Sequence, residues 1–143
     1  MMVMPDNEIS LRLRTPSGEI IEAPTVTGTL DRRYSLQVTV PTLGHREVVD
    51  RDYFECLLRL REQLEPLGYR FLVNGARRNA WPSGMARDMA AGRSAYLLEL
   101  GKHDQRPPMV NIFEPADESD IVLVDEQRAF FNTWMGELPQ RPV

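Results

Sequence analysis

Between Tyr34 and Val40 the chain alternates without a break: Tyr34, Leu36, Val38 and Val40 are apolar, and Ser35, Gln37 and Thr39 are polar. A period of two puts successive side chains on opposite faces of an extended chain, so this run buries its apolar set as a strand with one covered face. Pro41 stops it, because proline has no N–H to give to a ladder. Ile9, Leu11 and Leu13 repeat the pattern against Ser10, Arg12 and Arg14. Thr15-Pro16-Ser17-Gly18 then sets proline and glycine where a type I turn prefers them, which predicts a hairpin returning through Glu19 to Glu22. The N-terminal third therefore reads as an antiparallel meander.

The period changes after Asp50. Tyr53, Cys56, Leu57, Leu60 and Leu64 recur at spacings of three and four, the stripe of a helix with one buried face, and Asp50 or Asp52 is placed to cap its start. Glu55 with Arg59 and Arg61 with Glu65 are opposite charges one turn apart, expected on the wet side. Pro66 and Gly68 end the helix. Tyr69 to Val73, Ala95 to Leu100 and Met109 to Phe113 read as short strands. A last helix from about Asp125 carries Phe130, Phe131, Trp134, Met135 and Leu138 as its apolar stripe, with Phe131 and Trp134 expected in the core. Pro139 to Val143 is expected to fray.

Strands that cluster, instead of alternating regularly with helices, predict an α+β fold. Its expected form is a mostly antiparallel sheet of about five to six strands packed by two main helices, with a short helix inside the segment 74–92. A length of 143 residues fits one domain, 1–143, with a core that needs no disulfide or metal. Cys56 is the only cysteine and lies on the first helix's apolar stripe, where a small core residue is expected. Neither a signal peptide nor a membrane span is visible, which makes the cytoplasm the expected compartment.

The segment Asn74 to Gly92 is the least periodic and the richest in unusual residues. Pro82 pushes Trp81 toward an extended conformation, Ser83 is placed to cap a short helix through Met85 and Met89, and Gly92 to end it. Ser83 lacks the glycine spacing of a nucleophile elbow and has no nearby histidine, so its capping role outweighs a nucleophilic one. Arg77, Arg78, Arg87 and Arg93 with the Ser83 and Gly84 amides form a candidate anion cradle, weighed against a solvated or internally paired face. Trp81 beside arginines has the composition of an interface anchor.

Charge is segregated. From Arg70 to Arg93 there are five arginines against Asp88, and from Glu99 to Glu126 eight acids against Lys102 and Arg106. The formal net charge of −4 argues against nucleic acid as the main ligand. Glu114, Asp117, Glu118 and Asp120 form the densest acidic cluster, but it lacks the oxygen ladder and bend glycine of a calcium loop. His45 and His103 have no second ligand at metal spacing. The sequence thus names no catalytic residue, metal or cofactor. Its candidate partner-binding residues are Arg77, Arg78, Trp81, Arg87, Glu114, Asp117, Glu118 and Asp120.

Four runs carry a resemblance. Leu72-Val73-Asn74-Gly75-Ala76-Arg77-Arg78, Pro82-Ser83-Gly84-Met85, Ala95-Tyr96-Leu97-Leu98 and Ile112-Phe113-Glu114-Pro115-Ala116-Asp117 resemble a pattern in small uncharacterised bacterial proteins, some of which look like immunity proteins of polymorphic toxin systems. The resemblance covers roughly the second half of the chain. It implies a cytoplasmic inhibitor that binds and blocks one cognate toxin, the acidic cluster suits a toxin with a basic surface, and the missing catalytic set separately argues against an enzyme. Two other readings compete. One is a domain or enzyme for an anionic metabolite or nucleotide, using Arg77, Arg78 and the Ser83 region. The other is an adaptor or chaperone of a secretion system.

Overall fold

The computed structural model describes residues 2–138, so the expected fraying of residues 139–143 lies outside the described residues. The fold is α+β. Strands β1 (Met4–Arg14), β2 (Ile20–Leu30), β3 (Arg33–Val40) and β4 (Gly44–Asp50) form a meander, followed by α1 (Tyr53–Leu64) and the short β5 (Arg70–Phe71). After a 3₁₀ turn at Asn74–Ala76 come β6 (Ala80–Trp81), α2 (Gly84–Met89), β7 (Ser94–Leu97), β8 (Met109–Asn111) and α3 (Val124–Gly136). The strands divide into a curled five-stranded sheet, ordered β4-β3-β2-β1-β5, and a three-stranded sheet ordered β6-β7-β8. All the pairings are antiparallel.

Periodicity does not show the full length of β2 or the presence of β4, for identifiable reasons. β2 runs well past Glu22, through Pro24 and Gly28. Proline is tolerated there because β2 pairs with β3 only from Thr25 onward, leaving Pro24 with a neighbour on one side alone. β4 is an edge strand in which only Val48 is buried, so there is no alternating apolar set to detect.

The core lies between the large sheet and α1. Leu11, Leu13, Ala23, Leu36, Val38 and Val40 meet Tyr53, Phe54, Cys56, Leu57, Leu60 and Leu64, all within 1% of full burial. Asp52 caps α1, its Oδ1 accepting from the Glu55 amide at 2.8 Å. Burial pushes the Cys56 thiol up from its ordinary 9.0 to about 12, and its Sγ donates to the Tyr34 carbonyl at 3.3 Å.

The Arg61 and Glu65 pair departs from expectation. Both are buried, Arg61 completely, because α1 is covered on its second side by the 3₁₀ turn and by α3. Arg61 donates to Glu65 Oε2 at 2.9 Å, to the Val122 carbonyl at 2.7 Å and to Gln127 Oε1. Burial lowers the Arg61 pKa, while the Glu65 carboxylate opposes that shift. Gln127 in turn donates to the carbonyls of Gly75 at 2.9 Å and Ala80 at 2.8 Å, and Glu65 Oε1 accepts from the Val124 amide at 3.0 Å. A buried charge needs this full set of partners to be tolerated. The α3 helix is thus fastened by a polar network as well as by apolar contact: Val124 and Gln127 are its buried residues, whereas Phe130, Phe131 and Trp134, expected on its apolar stripe, are only partly covered.

Gly75 lets the 3₁₀ turn approach α1. A Cβ there would stand 2.5 Å from Leu57 Cδ2 and 3.1 Å from the Ile112 carbonyl oxygen. No helix among the described residues is long and apolar enough to cross a membrane.

Candidate functional site

The segment Asn74 to Gly92 is built in two parts. Its first part is internal structure: Asn74, Gly75 and Ala76 are buried, and the chain beyond them is zipped to the acidic loop. The Asn74 amide donates to the Glu114 carbonyl at 2.8 Å and the Arg78 amide to the Asp120 carbonyl at 3.0 Å. Its second part carries α2. Ser83 caps that helix, with Oγ accepting from the Ala86 amide at 3.0 Å. At the other end the Gly92 amide donates to the Ala86 carbonyl at 3.2 Å, closing the helix with Ala91 and Gly92 at positive φ.

Most of the candidate contact residues have partners inside the protein. Arg87 donates to Asp52 Oδ2 at 2.8 Å, stands 3.3 Å from Glu55 and lies over the Phe54 ring at 5.3 Å. Arg93 is bonded to Asp6 and lies over Tyr53. Trp81 is partly buried: its ring stacks on Phe131 at 4.5 Å and meets Phe54 edge-on at 5.0 Å. Arg77 and Asp120 pair across the zipped segments at 3.8 Å, and Arg78 sits over Phe130 at 5.7 Å. The four-arginine cradle at Ser83 is therefore not assembled, because Arg87 and Arg93 are bonded to carboxylates and Arg77 and Arg78 line a different cleft.

The acidic loop is held firmly by its backbone and remains exposed. The Ala116 amide donates to the Leu72 carbonyl at 3.0 Å, and Val73 bridges Pro115. Glu118 pairs with Arg14 at 2.9 Å. Asp117 accepts from the Ser119 hydroxyl at 2.7 Å and amide at 2.9 Å, which together hold its carboxyl below the usual carboxylate range. Among the described residues, Glu114 and Asp117 form no ion pair, and no group of three or more His, Cys, Asp or Glu is placed to hold a metal ion.

What the structure adds is an apolar face. Met85 and Met89 lie one turn apart on α2, so they share its outer side while Ala86 packs inward. Met85 is 70% and Met89 82% exposed, and Met109 on the edge strand β8 is 48% exposed. Together with Ala86, Tyr96 and Arg106 they line a shallow groove of about 170 Å³. The i, i+4 methionines were visible in the sequence, but a helical stripe ordinarily marks the buried side. Here the inward side of α2 is supplied by Ala86 and Arg87, which leaves the methionines outside. Unbranched, polarizable methionine suits a surface that adapts to a partner. The chain matches no protein-family model and no curated protein.

Proposed function

We propose that this chain is a protein-binding inhibitor of the immunity type, which neutralises a cognate toxin by occupying its surface and contributes no chemistry of its own. The observation that carries the reading is the face made by Met85, Met89 and Met109. Arg87 fastens α2 to Asp52 from below, so the methionines are presented on a fixed support. Presenting apolar side chains from an anchored element limits the ordering cost of association. Arg106 rims the groove and has no ion pair among the described residues, so it suits a partner segment that brings a carboxylate beside an apolar side chain. Glu114 and Asp117 supply unneutralised negative charge elsewhere on the surface, which favours encounter with a partner of basic character.

The test uses the product of the neighbouring reading frame, co-expressed and titrated calorimetrically against the full chain. The paired substitution Met85→Asp and Met89→Asp places charge on the face without touching Ala86 or Arg87. Loss of two anchoring contacts is expected to weaken binding by roughly thirtyfold, about 2 kcal/mol. Unchanged affinity in the folded variant would remove the methionine face, and absence of binding by the unsubstituted protein would remove the assignment of that partner.

A further inference from the structure

We infer that the cleft between the Arg77–Asn79 run and α3 is a site for an oxyanion attached to an apolar group, independent of the methionine face. The cleft has a volume of about 440 Å³ and is lined by Arg77, Arg78, Leu98, Leu100, Asp120 and Phe130 among others. Its two arginines are under-served. Arg77 meets a single carboxylate, Asp120, at 3.8 Å, beyond hydrogen-bond distance, and its Nε is buried without a partner. Arg78 is exposed and has no ion pair among the described residues; its guanidinium lies over the Phe130 ring at 5.7 Å. Other arginines of the same region are bonded to carboxylates, Arg87 at 2.8 Å and Arg93 directly to Asp6. Glu99, also at the cleft, is engaged by Lys102 at 3.2 Å.

Of the two carboxylates at the cleft, Asp120 is beyond hydrogen-bond distance and Glu99 is paired with Lys102, so the two adjacent guanidiniums keep donors for a carboxylate or phosphate, oxyanions that the planar guanidinium binds in a bidentate manner. Phe130, Leu98 and Leu100 supply an apolar wall beside them, so the oxyanion's substituent is aromatic or aliphatic. The Phe130 ring beneath the Arg78 guanidinium, 5.7 Å away, favours the orientation this contact needs and reduces the freedom lost on binding.

The probes are phenyl phosphate and benzoate, with inorganic phosphate and uncharged benzyl alcohol as comparisons, each titrated to about 10 mM into the full ¹⁵N-labelled chain. The Arg77 Nε–Hε resonance is one readout: the group is buried without a partner, so its shift reports a change at the guanidinium's exposed end. The expected result is movement of that resonance and of the Arg78 and Asn79 amides, with phenyl phosphate or benzoate binding more tightly than inorganic phosphate. The tighter of the two identifies the oxyanion. Arg78→Ala, at an exposed position, is expected to weaken binding roughly tenfold, equivalent to about 1.4 kcal/mol. No movement, equal movement with benzyl alcohol, or binding that survives Arg78→Ala overturns the inference. No protein partner enters the measurement, so its outcome is separate from that of the toxin titration.

Discussion

Asp52 joins the fold to the candidate site, and its replacement separates two effects. Asp52 is 3% exposed. Oδ1 caps α1 through the Glu55 amide at 2.8 Å, and Oδ2 accepts from Arg87 at 2.8 Å. Gly92, at φ 73°, permits this crowding, since a Cβ there would fall 2.8 Å from the Asp52 Cγ. Asp52→Asn keeps a capping oxygen as good as the original but turns a donor toward Arg87, so the cost is the charge-assisted bond. Such bonds contribute about 1.5–3 kcal/mol, and Glu55 at 3.3 Å from Arg87 offsets part of the loss, which places the variant near 1.5 kcal/mol. Asp52→Ala removes the cap as well, adding about 1 kcal/mol for a total near 2.5 kcal/mol. Urea unfolding of both variants, with unchanged m-values, measures these differences, and amide exchange across α2 reports whether its anchor is lost. Exchange should accelerate in α2 more than in the β1 to β3 ladder. An Asp52→Ala variant within about 0.5 kcal/mol of the parent would show that neither contribution is made, and two equally unstable variants would show that the cap and the ion pair are not separate contributions.

Gln127→Ala strips one acceptor from Arg61 and leaves the Gly75 and Ala80 carbonyls without their side-chain donor, so unfolding should become easier by about 2–4 kcal/mol in denaturant titration. Gly75→Ala should destabilise by about 1–3 kcal/mol, because its Cβ would meet backbone oxygen as well as the Leu57 side chain; a stabilising result would show that the 3₁₀ turn shifts freely. Cys56 should resist alkylation in the native state at pH 8 and react on unfolding. Its folded pKa of about 12 lies above the unfolded value, so above pH 9 the unfolded chain binds fewer protons than the native one. Stability should therefore fall as pH rises from about 9 to 12, by at most about 1.4 kcal/mol per pH unit from this group, and a Cys56→Ala variant should lose that portion of the slope.

The elements legible in the sequence are those whose periodicity reports one covered face. The alternation in Tyr34 to Val40, the α1 stripe, the Thr15 to Gly18 turn and the Asp52 and Ser83 caps each depend on residues close in sequence, so local physics suffices. β4, the length of β2 and the division into two sheets depend on neighbours supplied by other parts of the chain. The same distinction holds at the candidate site. That Arg77, Arg78, Arg87 and Trp81 are chemically capable of contact is a property of the side chains. That Arg87 is bonded to Asp52, that Trp81 is stacked on Phe131, and that Arg61 is buried with Gln127 follow from contacts across 35, 50 and 66 positions, respectively, which no local pattern encodes. The methionines make the point most directly: an i, i+4 pair specifies one helical face, and only the packing of α2 through Ala86 and Arg87 decides that this face meets solvent.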